Sequence, residues 1–548
     1  MSEPVLTIEN LSVALPSWAD RPLAIDGISL KVLRKEILCV VGESGSGKSV
    51  MAKSILRLLP APHVCVAGGR IMYEGKDLLT LPPEDIRAVR GGRIAMIFQE
   101  PMVALNPLMT IGRQTDEILE VHTRMRAAER RKRIIEVFGD VRLPEPEHIV
   151  GSYPHELSGG QRQRVMIAMA LALEPSLIIA DEPTTALDVT TQAQILRLLK
   201  ELQDRHGTAI LFITHDFGVV AEIADRVAVM HQGKLVEQEK VNDVLLHPRH
   251  QYTRALIAAV PSLTPRHIAH RSPSQPAGPL LLSVSGVEKT YPARGGQFSL
   301  SRRRVSAVAG VSLEIAKGRS LALVGESGSG KSTLARCIVG LERADRGAIV
   351  LEGSNIAGLS RAKLRPYRKA FQMIFQDPFA SLNPRWCVAD IIAQGPIVNG
   401  TPRKTALGQA AELLRLVGLD PKAARRFPHE FSGGQRQRIC IARALAVKPK
   451  LIIADEPVSA LDVSVQKQVL DLLDELRTTF DLSMLFITHD LRVAAHVCEE
   501  IAVMKDGLIV ERGATADIFA TPRHEYTKAL LAAVPGREWQ QNVSALRN

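Results

Sequence analysis

The sequence predicts an α/β protein made of two successive copies of one domain, and three observations carry that prediction. Four motifs recur in the same order. Gly42-Glu43-Ser44-Gly45-Ser46-Gly47-Lys48-Ser49 returns as Gly325-Glu326-Ser327-Gly328-Ser329-Gly330-Lys331-Ser332. Ser158-Gly159-Gly160-Gln161 returns as Ser432-Gly433-Gly434-Gln435, Asp181-Glu182-Pro183 as Asp455-Glu456-Pro457, and Thr214-His215-Asp216 as Thr488-His489-Asp490. The offset is constant over the last three, at 274 residues (432 − 158, 455 − 181, 489 − 215), so these segments match without net insertion. The first glycines lie 283 apart (325 − 42) and Gln99 and Gln376 lie 277 apart (376 − 99), differences that loops absorb. Finally, short apolar runs precede the glycine loops, the acid pairs and the histidines, as parallel strands covered on both faces would. A repeat of this length means two domains rather than a solenoid.

A chain of 548 residues suggests several folding units. The repeat reduces them to two halves of about 270 residues, each long enough to bury a core. That core is aliphatic, since 46% of residues are hydrophobic and only 4% aromatic. No apolar stretch of about 18 residues lacks charge, so no membrane span is expected. The acidic start, Met1-Ser2-Glu3-Pro4-Val5, does not resemble a signal peptide. Six scattered cysteines without a Cys-x-x-Cys pair fit a reducing compartment and argue against a zinc or disulfide framework. The net charge of +11 favours anionic partners (nucleotide, nucleic acid or a membrane surface) without choosing among them.

In chain order, Ile8, Leu11 and Val13, then Ile28, Leu30 and Val32, have the spacing of half-buried strands. Ile37-Leu38-Cys39-Val40-Val41 reads as a buried strand feeding the first glycine loop, and residues 50–56 as the helix after it. Residues 113–175, rich in Arg, Glu, Leu and Ala, predict a mainly helical insert. Leu177-Ile178-Ile179-Ala180 and Ala209-Ile210-Leu211-Phe212-Ile213 are further buried strands. The Pro- and Ser-bearing stretch 261–279 lacks periodicity and reads as a linker. The expected division is 1–262, a linker at 263–279, and 280–548. Each half closes on a related tail, His247-Pro248-Arg249-His250-Gln251-Tyr252-Thr253 and Thr521-Pro522-Arg523-His524-Glu525-Tyr526-Thr527. The tails read as packing elements without evident chemistry.

The glycine loops fit G-x-x-x-x-G-K-[ST]. Glycines let the backbone turn its N–H groups inward on phosphate, and the following helix start favours anions. Lys48 and Lys331 then reach the β- and γ-phosphates, while Ser49 and Ser332 offer hydroxyls to Mg²⁺. Asp181-Glu182 and Asp455-Glu456 close apolar strands. Beside a phosphate loop they read as a magnesium-organising Asp and a Glu that polarises attacking water. His215 and His489 each follow the first acid of their own half by 34 residues (215 − 181, 489 − 455), which points to the γ-phosphate. Ser158 and Gln161, like Ser432 and Gln435, form a capping-box pattern. The same glycine-bearing helix start is a second anion site, free for another nucleotide.

Over nearly its whole length the chain resembles the ATP-binding cassette proteins, with two fused nucleotide-binding domains. Gly42 to Ser49 and Gly325 to Ser332 match the Walker A loop, Gln99 and Gln376 the Q-loop, and Leu157 to Gln161 and Phe431 to Gln435 the signature. Asp181-Glu182 and Asp455-Glu456 match Walker B, Asp188 and Asp462 the D-loop, and His215 and His489 the switch histidine. The resemblance implies two P-loop NTPase cassettes, each with a RecA-like core, an antiparallel β subdomain and a helical subdomain. It implies Glu182, Glu456, His215, His489, Gln99 and Gln376 as catalytic. ATP contacts are implied for Gly42, Ser44, Gly45, Gly47, Lys48, Ser49 and Val50, and for Gly325, Ser327, Gly328, Gly330, Lys331, Ser332 and Thr333. Further contacts are implied for Ser158, Gly159, Gly160, Gln161 and Asp188, and for Ser432, Gly433, Gly434, Gln435 and Asp462. Mg²⁺ would be held by Ser49, Gln99 and Asp181, and by Ser332, Gln376 and Asp455. Each ATP would lie between one Walker A loop and the other half's signature, pairing Lys48 with Ser432 and Lys331 with Ser158. For adenine stacking Tyr291 fits in the second half. Leu15 stands at that place in the first half, with Trp18 nearby as a substitute.

Within the family the chain most resembles the ATPase of oligopeptide and dipeptide importers in its fused form. The extended Q-loops Phe98-Gln99-Glu100-Pro101-Met102-Val103-Ala104-Leu105-Asn106-Pro107 and Phe375-Gln376-Asp377-Pro378-Phe379-Ala380-Ser381-Leu382-Asn383-Pro384 carry this, with both Gln-Arg-Gln-Arg signatures and both Pro-x-x-x-Tyr-Thr tails. The tails lack the cysteines with which some members hold an iron–sulfur cluster, so none is expected. The resemblance implies two permease subunits, a substrate-binding protein reached through them, no nucleic acid, one copy per transporter, and a peripheral place on the cytoplasmic face of a bacterial inner membrane. Nickel, glutathione or another small solute are alternative cargoes. A soluble tandem-cassette translation factor is the reading from another class, and the short Pro/Ser-rich linker disfavours it.

Overall fold

The structure is a computed structural model that describes residues 3–185, 187–265, 278–292, 304–459 and 461–540. Most of the linker expected at 263–279 lies outside them. The chain divides into two compact units. One comprises Met1–Leu187, Thr191–Val260 and Pro535–Asn548, and the other Asp188–Thr190 and Pro261–Val534.

The first unit holds β1 (Pro4–Ala14), β2 (Leu23–Leu33), β3 (Ile37–Val41), β4 (Cys65–Tyr73), β5 (Lys76–Asp77), β6 (Ile94–Ile97), β7 (Leu177–Asp181), β8 (Ala209–Ile213), β9 (Arg226–His231) and β10 (Lys234–Lys240). A four-stranded antiparallel sheet has the order β2-β1-β4-β5. A six-stranded sheet has the order β10-β9-β3-β8-β7-β6, parallel except for its β10 edge. Alternation along β1 slips at Asn10, which sits at φ 48 where the register shifts. That bulge lets Ile8 and Leu11 face one core although they are three residues apart.

The parallel strands are buried on both faces, so each feeds two cores. Leu38, Val40, Ile179 and Leu211 pack with the antiparallel sheet and the helix Lys48–Ile55. Cys39, Val41, Ile178, Ala180 and Phe212 pack toward the helical side, among Phe138, Val165 and Leu198. The expected helical insert resolves into Ile111–His122, Ala127–Asp140, Pro146–Ile149 and Gly159–Leu171. Thr110 caps the first of these by accepting from the Arg113 amide.

The second unit repeats the plan with β11 (Leu280–Pro292), β12 (Arg304–Ala316), β13 (Ser320–Val324), β14 (Arg346–Leu351), β15 (Ser354–Asn355), β16 (Phe371–Ile374), β17 (Leu451–Asp455), β18 (Ser483–Thr488), β19 (Glu500–Lys505) and β20 (Leu508–Ala514). Its sheets run β12-β11-β14-β15 and β16-β17-β18-β13-β19-β20. Gly286, at φ 55, takes the bulge place of Asn10, and Val284 and Val287 flank it as Ile8 and Leu11 do in the first unit. Its helical part comprises Val388–Val398, Arg403–Leu416 and Gly433–Leu445.

Candidate nucleotide sites

In each unit four neighbouring parallel strands deliver the chemistry to one sheet edge, the carboxyl ends where open α/β sheets bind ligands. β3 ends at Val41 and releases the loop Gly42 to Gly47; the helix Lys48–Ile55 follows at once. Its neighbour β8 leads to His215, β7 ends on Asp181, and β6 leads to Gln99. The loop needs its glycines. Gly42 lies at φ 152, and a Cβ there would stand 2.2 Å from the Met230 carbonyl oxygen. Gly47, at φ 101, would place a Cβ 2.6 Å from the Ala24 carbonyl oxygen.

The buried Lys48 Nζ donates to the Gly42 and Glu43 carbonyls at 2.7 and 2.9 Å. Ser49 Oγ donates to Asp181 Oδ1 at 2.9 Å. Glu182 is gripped from three sides. Gln99 Nε2 lies 3.0 Å from Oε2, Thr185 Oγ1 donates to the same oxygen at 2.9 Å, and His215 Nδ1 lies 3.3 Å from Oε1. The second unit reproduces the set: Lys331 to the Gly325 and Glu326 carbonyls at 2.8 and 2.7 Å, and Ser332 to Asp455 at 2.9 Å. Gln376 donates to Glu456 at 2.9 Å, and His489 lies 3.2 Å from it. Both glutamates adopt φ 47, a left-handed conformation uncommon for a non-glycine residue, while their amides are fixed by the Ile213 and Ile487 carbonyls.

The two acids of each pair are pushed in opposite directions. Burial lifts Asp181 above its ordinary value, partly offset by the Ser49 hydroxyl, and lifts Asp455 likewise against Ser332. Burial also opposes ionisation of Glu182 and Glu456. There the facing histidines outweigh it and hold both carboxyls below their ordinary range. His489 is raised: burial resists its protonation, but the Glu456 hydrogen bond and charge prevail. Burial lowers Lys331 against the pull of Glu456 and Asp455.

Other expected residues make contacts of their own. Ser158 and Ser432 cap their own helices, accepting from the Gln161 and Gln435 amides at 3.2 and 3.3 Å, while each glutamine side chain reaches back to the serine amide. Gly160 sits so close to Thr191 that a Cβ would stand 2.7 Å from its methyl, and Gly434 meets Val465 at 2.2 Å. Ser44, Gly45, Ser327 and Gly328 are exposed on the loops, and Val50 and Thr333 are half-buried in the following helices. Asp188 accepts from Thr190 at 2.8 Å, and Asp462 stands at the N-cap of Val463–Thr479. Tyr291 is half-buried under Lys289, whose Nζ lies 5.3 Å from the ring centroid. Leu15 packs on the antiparallel-sheet core, and Trp18 is 80% exposed.

Three contacts escaped the sequence reading. The Arg21 guanidinium donates to the Gly45 carbonyl from the loop that carries Trp18, and nothing in the local sequence signals it. The Tyr252 and Tyr526 hydroxyls accept from the Glu43 and Glu326 amides, each at 3.1 Å. Their signal was the repeated Pro-x-x-x-Tyr-Thr tail, read above as packing alone.

The family described as ABC transporter matches residues 25–185 and 308–459. The family described as oligopeptide/dipeptide transporter, C-terminal region, matches 236–285 and 510–547. Peptidoglycan transport ATP-binding protein YejF of Agrobacterium fabrum is 49% identical over 97% of this chain and 96% of its own length. Glutathione import ATP-binding protein GsiA of Escherichia coli K12 is 46% identical over 97% of this chain and 90% of its own. Among solved structures, the dimeric ATP-binding cassette MJ0796 bound to ADP and Pi is 28% identical, with 43% of this chain and 99% of that chain covered and a TM-score of 0.39. With two complete cassettes and both C-terminal regions matched, the chain belongs to the ATP-binding cassette transporter family as a tandem-cassette ATPase.

Proposed function

We propose that this chain powers uptake of short peptides or peptide-bearing solutes, hydrolysing ATP at two sites, each composed of one half's phosphate loop and the other half's signature. The observation that carries hydrolysis is the placement of Glu182 and Glu456, each carboxylate hydrogen-bonded by a glutamine and facing a histidine, and held below its ordinary range with help from the phosphate-loop lysine's charge. The cargo class rests on the relatives, named for peptidoglycan transport and glutathione import; both cargoes contain short peptide chains.

The residues present fit Mg²⁺. Ser49 Oγ converges with the buried Asp181 carboxylate, and Ser332 with Asp455, giving the hard oxygen donors this ion prefers. Gln99 and Gln376, whose amide nitrogens donate to Glu182 and Glu456, would add side-chain oxygens to that set. Bound Mg²⁺ would neutralise phosphate charge. Lys48 and Lys331 orient the β- and γ-phosphates, and the loop amides hold them. Glu182 and Glu456, kept ionised, accept a proton from attacking water, while His215 and His489 hold the carboxylates in place and face the γ-phosphate.

Among the described residues no helix is long and apolar enough to cross a membrane. Transport therefore calls for permease subunits. We place the chain on the cytoplasmic face of an inner membrane, one copy on two permeases served by a binding protein. Phe98, Met102, Val103 and Leu108 around Gln99, and Phe379 and Trp386 after Gln376, are exposed apolar residues suited to receive permease helices.

The test is Glu182→Gln and Glu456→Gln, made separately and measured as ATP turnover and solute uptake in the assembled transporter. Chemistry at the altered site falls about 100-fold or more. Summed turnover then drops to roughly half if the sites act independently, and lower if they are coupled. A substitution that leaves turnover and uptake untouched would remove its site from the scheme.

A further inference from the structure

The tail of each unit touches that unit's own phosphate loop, and the contact is built from hydroxyl and amide rather than from packing alone. In the first unit the Glu43 carbonyl is held by Lys48 Nζ at 2.9 Å and its amide by the Tyr252 hydroxyl at 3.1 Å. In the second unit Lys331 and Tyr526 hold the Glu326 carbonyl and amide at 2.7 and 3.1 Å. We propose that Tyr252 and Tyr526 are positioning residues of the two nucleotide sites, fixing the second residue of each phosphate loop so that its amides stay aimed at the phosphates.

Three features support a role beyond packing. First, the tyrosine is itself held firmly. The Glu237 carboxylate on β10 accepts from the Arg249 and His250 amides at 2.7 and 3.2 Å, and His250 Nδ1 accepts from the Tyr252 amide at 3.2 Å. Glu511 and His524 do the same for Tyr526, with distances of 2.7, 3.1 and 3.1 Å. Second, the ring surroundings differ while the hydroxyl contact does not. Tyr252 packs on His231, centroids 3.8 Å apart, whereas Tyr526 lies under Lys505 Nζ at 5.0 Å. What the two halves share is the bond to the loop amide. Third, β9 and β19 frame the residue just before the anchored one in each loop, since the Met230 and Met504 carbonyls exclude any side chain at Gly42 and Gly325.

The lysine explains why a second anchor is useful. Two of its three donors serve loop carbonyls, and phosphate competes for them. As Lys48 turns toward phosphate its hold on Glu43 weakens, and the tyrosine keeps that residue in place.

This inference rests on the reading of the cassettes as ATP sites. The experiment uses the full chain carrying Tyr252→Phe and Tyr526→Phe together. Affinity is read with a fluorescent ATP analogue, turnover against ATP concentration, and stability by thermal melting. Loss of one neutral hydrogen bond per site raises Kd and KM about five-fold. The value of kcat stays within about two-fold, because the loop holds phosphate equally in ground and transition states. The thermal midpoint stays within about 2 °C. Unchanged Kd and KM overturn the proposal, as does a fall in kcat and midpoint with Kd unchanged. Wild-type chain that binds the analogue without turning over ATP overturns the ATPase reading instead, and the comparison of Kd values still decides the role of the tyrosines.

Discussion

The pair Glu456 and His489 is the most informative contact at the residue scale, because each partner moves the other's protonation. The glutamate falls below its ordinary 4.5 and the histidine rises above its ordinary 6.5. A lowered carboxyl contributes stability that is complete above its unfolded value and lost as pH falls through its folded one. A raised imidazole contributes stability that is complete below its unfolded value and lost as pH rises through its folded one. Both contributions are therefore complete together between pH 4.5 and 6.5. His489→Ala removes the partner, so its stability deficit against wild type is greatest in that window and shrinks on either side, as chemical denaturation at several pH values would show. Burial is then offset only by the Lys331 charge, and Glu456 rises relative to wild type. The acid limb of the ATP turnover profile moves to higher pH; a limb that stays put, with Glu182→Gln in the background to silence the other site, would mean His489 does not govern that carboxylate.

At the scale of elements, the loop between β3 and its helix carries the sharpest structural demand. Gly42→Ala forces a side chain to φ 152 and within 2.2 Å of a backbone oxygen, which cannot step aside as a side chain would. The substitution costs several kcal/mol, about 3 or more, through strain and overpacking together. Melting of the full chain checks it, with Gly45→Ala as the comparison that isolates the overpacking, since Gly45 is also left-handed, at φ 74, but a Cβ there meets nothing within 4 Å. The same elements show what sequence alone could reveal. The strands before each motif were legible because parallel strands buried on both faces read as unbroken apolar runs. The Ser-Gly-Gly-Gln helix starts were legible because a capping box is local. The tail's contact with the loop was not, since it joins residues 209 apart in the first half and 200 in the second. Nor does any pattern announce that Arg21 returns to Gly45. The β1 bulge was half legible: the three-residue step from Ile8 to Leu11 was visible, but its cause, Asn10 at positive φ, was not.

At the scale of the whole molecule, duplication acquires meaning through the signatures. Within each unit the Lys, Asp, Glu, Gln and His groups converge, whereas the Ser158 and Ser432 hydrogen bonds stay within their own helix starts. A capped helix start with two glycines and an exposed serine is an anion site without a phosphate loop of its own to serve. In the proposed composite sites it would serve the other half's loop, which would explain why one chain carries two copies. On that pairing Ser432→Arg places a large cation where the first site's γ-phosphate would be received and impairs the site built on Lys48. The site built on Lys331 keeps its own signature, Ser158, and its photolabelling. An azido-ATP crosslink mapped by proteolysis to each half reads the two sites separately. The expected result is labelling lost from the first half and retained in the second. Loss from the second half would mean that each signature serves its own phosphate loop. The wild-type labelling ratio would also test the proposed asymmetry between Tyr291 and Leu15: a lower share for the first half at limiting nucleotide means weaker adenine stacking there, and an equal share means that Trp18 or another group supplies it.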